Sequence, residues 1–505
     1  MKQLKPNESS GVKMRIWKPL ATWLPMAALV LAAACTTVTN PATGESELTT
    51  VTPAQERAIG AQEHPKVVAG FGGEYGDAEL KNYIDTIGQN LANNAELPAD
   101  TFTFTLLDSP VVNAFALPGG YVYVTRGLLT LLSDESELAG VMGHEIGHVT
   151  ARHGARRQTR GTIANILAAG VGILTGNRQV AQLGQVAAQS FLASYSRDNE
   201  READQLGVRY LGRTGYNTLG MAHSLEAIGR HSELLAKVSG DEAQGFNFFQ
   251  THPQTPERVA NTVQLAKVGP TVQNPVTGRD RYLNAISGMI YGDSPAQGFA
   301  RGTRFVHPNM RFAFDVPDGF KLDNLPDAVL AAGPDGTRIA FDRETDRNAV
   351  AQYRDMANYI SRKWARGARG RDLRSTQIGG FPAATATVFM TAQNGQQFEA
   401  RIAAIRFSDS HIFRFLMAAP TQVAGRYARD FDDAILSFRS LTAEQAAEYR
   451  PLRIYAYTVR RGDTVSGLAS RMNIDRFDEE RFRAINALGP DEGLQAGQRI
   501  KIIRE

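Results

Sequence analysis

Two histidines four residues apart, with a glutamate beside the first, constrain this chain more than any other feature: His144-Glu145-Ile146-Gly147-His148. Residues four apart share one face of an α-helix, so both imidazoles can reach one metal ion. Glu145 lies one step round the helix and can reach a water held at that ion without being a ligand. This is the layout of a zinc hydrolase, in which ligands hold the ion and a carboxylate takes the water's proton. The flanks predict a helix. Ser133 or Asp134 can cap its start, and Glu137 is placed for a capping box with Asp134. Leu138, Val141, Met142 and Val149 recur at three- and four-residue steps, giving a buried apolar face. Histidines on such a helix are costly unless paired or metal-bound.

A third ligand is needed. The extended pattern H-E-x-x-H-x-x-G-x-x-H is excluded, because Ala151 and Gly154 stand where its glycine and third histidine belong. His153 falls opposite His144 on a continuous helix and is expected to face solvent as a helix-end cation. Glu200-Arg201-Glu202-Ala203-Asp204 offers the alternative. Glu200 and Asp204 are one turn apart on one face, with Glu202 pointing elsewhere. A second helix can give Glu200 to the metal while Asp204 orients a ligand histidine. The plainer reading is a solvated acidic helix start favoured by the dipole.

The H-E-x-x-H motif at 144–148, Glu200-x-x-Ala203-Asp204, and His252-Pro253 followed by Arg258 together resemble the M48 metallopeptidases, in particular their bacterial periplasmic branch. Asn40 to Gly44 and Asn113 to Gly120 resemble that branch as well, so the likeness runs over about 40–265. It implies a mainly α, zincin-type (gluzincin) domain with a small edge sheet. It also implies one Zn²⁺ per chain, held by His144, His148 and Glu200, with Glu145 as general base. Asp204 and Arg258 are then expected behind the ligands, and His252 near the zinc. A Pro-flanked loop can offer His252 either to the transition-state oxyanion or to the metal's open position. No tetratricopeptide periodicity follows, so partners bound through such a module are not implied.

The chain has 505 residues, too many for one ordinary domain. Its formal charge is +3, but residues 1–34 hold five basic residues (Lys2, Lys5, Lys13, Arg15, Lys18) against Glu8. The remainder is near neutral, which gives no electrostatic case for nucleic acid. Residues 1–34 read as an export signal: a basic start, apolar Leu20 to Leu31, then three alanines before Cys35. A more compact signal would start at Met14. Cys35, the only cysteine, stands where lipoprotein signals place an acylated cysteine, which predicts a lipid anchor on the periplasmic side of the outer membrane. Ordinary cleavage after Ala34 would instead give a soluble periplasmic protein.

Residues 35–50 read as a lipid-anchored tether and 51–265 as the peptidase unit. Within it, Asn113 to Ala116 and Tyr121 to Val124 predict strands around Pro118-Gly119-Gly120. Asn113, Ala114 and Phe115 either bind extended substrate by edge addition or belong to a buried hairpin. Gly161 to Gly176 reads as a core helix, or else as an apolar flap. Thr255 can cap a helix that starts at Pro256. Residues 266–300 read as a linker. Residues 301–445 predict an α+β domain for binding or spacing, with strands at 312–316, 328–332, 338–341, 384–389, 399–406 and 411–416 and helices at 350–364 and 422–438. Its histidines, His307 and His411, lack ligand spacing. Residues 446–505 read βααβ and resemble a LysM module, with Gly462, Asp463, Thr464 and Asn486 as candidate glycan contacts. That family binds N-acetylglucosamine polymers such as peptidoglycan; a folded cap without sugar affinity is the alternative.

These readings converge on an exported zinc endopeptidase, and the resemblance implies that it acts on misfolded or unassembled envelope proteins. A peptidoglycan-directed metallopeptidase and a holdase with a latched zinc site are the rivals.

Overall fold

The computed structural model describes residues 36–162, 194–239, 248–253, 256–269 and 271–505, apart from 393, 473, 475 and 476. The export signal, Cys35, most of the Gly161–Gly176 stretch and Thr255 lie outside the described residues. Among the described residues no helix is long and apolar enough to cross a membrane.

The expected tether is a folded hairpin. Strands β1 (Thr36–Thr39) and β2 (Ser46–Thr49) pair antiparallel. Asn40 makes the turn, with Oδ1 accepting from the amide of Ala42 at 2.8 Å. Its buried Nδ2 also donates to Glu47 at 2.7 Å and to the Ala151 carbonyl at 3.3 Å. Arg156 Nε donates to Glu47 at 2.8 Å, and the Thr50 amide to Thr159 at 3.1 Å. The Thr, Asn and Gly composition that suggests a loose segment serves an Asn-initiated turn equally well.

Helix α1 (Pro53–Gly70) opens with a Thr52–Gln55 capping box, and α2 (Ala78–Ala92) buries Leu80, Ile84, Ile87 and Leu91. Strands β3 (Thr103–Leu107), β4 (Ala114–Leu117) and β5 (Tyr121–Thr125) form a small sheet in the order β3-β5-β4. Helices α3 (Arg126–Leu131) and α4 (Glu135–Thr150) follow, then α5 (Arg197–Arg213), α6 (Gly220–Ser239), α7 (Phe248–Thr251) and α8 (Pro256–Val268). Helices α4 and α5 touch through glycines. A Cβ on Gly143 would meet Gly207 Cα at 3.3 Å, and one on Gly207 would meet the His144 amide nitrogen at 3.1 Å. Side chains there would push the two helices apart.

Residues 266–300 are not a free linker. Helix α9 (Arg279–Ala285) buries Tyr282 and Leu283 in the core of the N-terminal unit. Strand β6 (Ile290–Tyr291) joins the C-terminal sheet. The next unit has a four-stranded sheet, β17-β9-β8-β7, made of β7 (Phe299–Arg301), β8 (Arg304–His307), β9 (Phe312–Asp315) and β17 (Arg439–Ser440). Its larger sheet is antiparallel, in the order β10-β11-β12-β16-β15-β14-β13. The strands are β10 (Lys321–Asn324), β11 (Ala328–Ala332), β12 (Arg338–Arg343), β13 (Arg369–Ile378), β14 (Phe381–Thr391), β15 (Gln397–Arg406) and β16 (Ile412–Pro420). Helix α10 (Ala424–Leu436) packs against β15 and β16. The helix expected over 350–364 is broken: Arg347–Gln352 stops, and Asp355 caps a new start by accepting from the Asn358 amide. β13 is exposed along nearly its whole length and so has no alternating apolar pattern to read.

The C-terminal module runs β18 (Leu452–Thr458), α11 (Val465–Ala469), α12 (Asp478–Asn486) and β19 (Arg499–Arg504). Its core is continuous with that of the peptidase unit. Lys501 is fully buried, and its ammonium donates to the carbonyls of Thr130 at 2.8 Å and Leu132 at 2.6 Å, at the end of α3. Arg279 bridges the Ser133 and Arg499 carbonyls. The module therefore presses on the turn that begins α4. Lys501→Met strands two buried carbonyls and is expected to cost about 1–3 kcal/mol. In calorimetry the peptidase and C-terminal units should shift down together; movement of the C-terminal unit alone would contradict the shared core.

Candidate metal centre

Asp134 caps α4, its carboxylate accepting from the Glu137 amide at 3.0 Å. Glu137 reaches back to the amide of Ser133, at 2.7 Å, one residue before the position a standard capping box uses. Of the helix residues only Val149 is not fully buried, so the histidines and Glu145 sit in the interior. Ser196 caps α5, which puts Glu200 in its first turn and Asp204 one turn on. The glycine contact between α4 and α5 brings those carboxylates over the histidines.

Four ligand atoms, from His144, His148, Glu200 and His252, lie within 4.8 Å of one another. His144 Nε2 is 3.0 Å from His148 Nε2, 3.6 Å from Glu200 Oε2 and 3.4 Å from His252 Nδ1. His148 Nε2 is 3.5 Å from Glu200 Oε1, and His252 Nδ1 is 3.2 Å from the same oxygen. A tetrahedral zinc with bonds of about 2.0–2.1 Å has ligand atoms about 3.3–3.4 Å apart. The donor set and its spacing therefore fit that ion. His252 supplies the fourth of the convergent atoms; its ring stacks on Phe248 at 4.5 Å and its Nε2 is 3.4 Å from Glu145 Oε1. Neither carboxylate oxygen of Glu145 has a hydrogen-bond partner, although the residue is fully buried.

Behind the ligands, Asp204 Oδ1 is 2.9 Å from His144 Nδ1. Arg258 grips Asp204 with a fork, at 2.9 and 2.7 Å, and its third nitrogen is 2.8 Å from Glu200. Burial alone would discharge His144, but the Asp204 and Glu200 carboxylates outweigh it and raise its pKa to about 9. Burial also opposes ionisation of Glu200, yet the His252, His144 and His148 imidazoles hold it well below the carboxylate range. Burial pushes Glu145 up and His148 down. The pocket thus favours a positive charge beside Glu200 and Asp204.

His153 does not face solvent. It is fully buried, with Nδ1 2.8 Å from His148 Nδ1 and Nε2 3.0 Å from Glu202. The expectation fails because α4 ends at Thr150 and Arg152 takes a positive φ of 55°, so the 100° step no longer applies. Tyr195, which nothing in its polar sequence surroundings marks, stacks on His148 at 4.0 Å. Its amide donates to the Thr251 carbonyl, next to His252.

Asn113 is buried with both side-chain polar atoms unpaired, beside the edge strand β4. Ala114 and Phe115 are buried too, and Phe115 packs on Tyr123 and Phe71. A cavity of about 230 Å³ lies between the end of β4, His148, Tyr195 and the N-terminal hairpin. In the C-terminal module, Gly462 has a φ of 92°, Asp463 accepts from Tyr457 and Arg460, and Thr464 caps α11. Asn486 is corrected as a glycan contact. It is buried, and its amide bonds the Phe482 carbonyl and both backbone groups of Lys501.

Residues 78–266 match Peptidase family M48, and residues 457–502 match the LysM domain. Metalloprotease LoiP of Escherichia coli K12 is 30% identical over 185 residues, which cover 36% of this chain and 69% of that protein. The chain belongs to peptidase family M48. The beta-barrel assembly-enhancing proteases of Yersinia pestis and E. coli K12 are each 32% identical, over 217 and 206 residues. Those matches cover 39% and 38% of this chain but only 42% and 41% of the two relatives, so it spans about two fifths of their length.

If Arg258 and Asp204 fix the His144 ring, Asp204→Asn should weaken zinc binding about 10–100-fold. Competition with a chromophoric chelator measures this, and unchanged affinity would remove Asp204 from the centre.

Proposed function

We propose that this M48 chain is a zinc endopeptidase of the bacterial envelope that cleaves misfolded or unassembled envelope proteins. The observation that carries the reading is the convergence of four buried ligand atoms beside a buried Glu145 carboxylate that makes no hydrogen bond. His144, His148 and Glu200 would hold one zinc per chain. A zinc ion there supplies a Lewis acid that polarises a peptide carbonyl and acidifies water. Glu145, desolvated and with no hydrogen bond to hold its carboxylate, takes the proton of the attacking water and passes it to the leaving amine. The edge of β4, from Asn113 to Phe115, is the place for an extended substrate strand, and the unpaired Asn113 amide is a group it can satisfy.

His252 in this reading closes the resting site. As the fourth of the convergent groups it occupies the space a water and a substrate carbonyl need, so it must leave before cleavage. Helix α7, which His252 directly follows, also holds the amide-to-carbonyl bond from Phe248 to Val112, just before β4. Substrate added at that edge competes for the same strand.

Location follows the export signal and Cys35: a lipoprotein on the periplasmic face of the outer membrane, with soluble periplasmic protein as the alternative. The C-terminal module suggests peptidoglycan as a partner through the exposed turn at Gly462, Asp463 and Thr464. Because that module shares a core with the peptidase unit, a second reading is cleavage of peptidoglycan stem peptides. Purified sacculi against an unfolded outer-membrane protein, each with and without chelator, separates the two.

Glu145→Gln should keep about one zinc per chain and lose hydrolysis, whereas His148→Ala should lose the metal. Equal zinc loss in both variants would contradict the assigned roles. His252→Ala should raise basal cleavage of an unfolded protein. A fall in turnover of about 10²–10³ with zinc content unchanged would instead make His252 an oxyanion group.

A further inference from the structure

We infer that His153 and Glu202 are positioning residues that fix the tautomer and orientation of His148. The inference rests on the reading of His148 as a metal ligand. Its Nε2 faces the ligand cluster, so in a neutral ligating ring the proton sits on Nδ1. That Nδ1 lies 2.8 Å from Nδ1 of His153. Two ring nitrogens at that distance need one donor and one acceptor. His148 donates, so His153 accepts at Nδ1 and carries its own proton on Nε2. Nε2 is the atom that points at Glu202, with its carboxylate oxygen 3.0 Å away. Every donor in the series therefore points outward from the metal site. Reversing the series would put the His148 proton on Nε2, against the metal.

The outer end is fixed as well. Glu202 also accepts from Arg156 Nη1 at 2.8 Å, and Arg156 is held on its other side by Glu47 of the N-terminal hairpin. The two ligand histidines are thus oriented differently. Asp204 lies directly against His144, whereas His148 is reached through a second imidazole that relays a carboxylate's charge. Both His153 and Glu202 lie outside the H-E-x-x-H and Glu200/Asp204 spacing that marks the site in sequence. His153 is fully buried, but the Glu202 side chain is 27% exposed, so it can be changed with little effect on packing.

The test is zinc affinity of the purified full chain, measured by competition with a chromophoric chelator. His153→Leu should weaken binding about 10–100-fold, and Glu202→Gln should weaken it in the same direction by a smaller factor. His153→Asn, whose side-chain oxygen can stand where Nδ1 stood, should recover most of the loss. The relay is overturned if His153→Leu and Glu202→Gln both bind zinc within about twofold of the parent. It is also overturned if Asn is no better than Leu. Should His153→Leu fail to fold, Glu202→Gln and His153→Asn decide the matter alone. His148→Ala serves as the control. If that variant keeps parental affinity, His148 is not a ligand and the relay falls with that assignment. If it loses zinc while the other variants do not, the relay alone is wrong.

Discussion

The contact of α4 with α5 through Gly143 and Gly207 is the constraint from which the rest of the centre follows. Imidazoles reach only a few ångströms from a helix axis, and Glu200 must meet two of them from a separate helix. With ordinary side chains at the crossing the axes would stand about 8–10 Å apart. The glycines remove that spacing at His144 itself, where a Cβ on Gly207 would press on the backbone amide. A methyl group there acts on the metal site through the His144 backbone rather than through a ligating atom, by moving Glu200 and Asp204 away from the histidines together.

Bringing those groups together has an electrostatic consequence. Glu145, Glu200 and Asp204 are all buried, and Arg258 is the guanidinium that faces Glu200 and Asp204 among the described residues. With the carboxylates ionised and the imidazoles neutral, negative charge is left over in the interior, which is strongly unfavourable unless a cation fills the pocket. Arg258 alone is not enough, because its single charge, shared between Asp204 and Glu200, stands against three carboxylates. The high His144 pKa and the low Glu200 pKa express the same demand. A divalent ion at the four convergent atoms answers it.

The parts of the site that were legible in the sequence are those fixed by one helix at a time. His144, Glu145 and His148 share α4, and Glu200 and Asp204 share α5, so a 3.6-residue period places them correctly relative to one another. The period fails where the backbone leaves the helix. At Arg152 the chain turns through positive φ, and His153 swings from the expected solvent side to the back of His148. Composition misleads in a similar way for the N-terminal hairpin and for 266–300. Polar and glycine-rich stretches suggest freedom, but Asn40, Glu47, Tyr282 and Arg279 are tied by side chains to partners far away in sequence. Asn486 shows the converse. A polar residue in a LysM-like module reads as a contact, yet here its amide stitches α12 to β19.

These long-range ties have a mechanical result. The start of α4 is backed by the C-terminal module, through Lys501 on the carbonyls of Thr130 and Leu132 and through Arg279 on Ser133. Its far end is held by the N-terminal hairpin, through Asn40 on Ala151 and Glu47 on Arg156. The helix bearing two of the four convergent side chains is therefore clamped at both ends by parts of the chain outside the motif. His252 is held in another way. Its ring is placed by stacking on Phe248 and by its neighbours in the cluster, and its segment is joined to the rest by the Phe248–Val112 and Tyr195–Thr251 backbone bonds. Tyr195, which makes the second of those bonds, also lines the cavity next to His148. The convergent histidines thus differ in their attachment: His144 and His148 sit on a helix tied by side chains at both ends, whereas His252 sits on a short segment joined through backbone bonds.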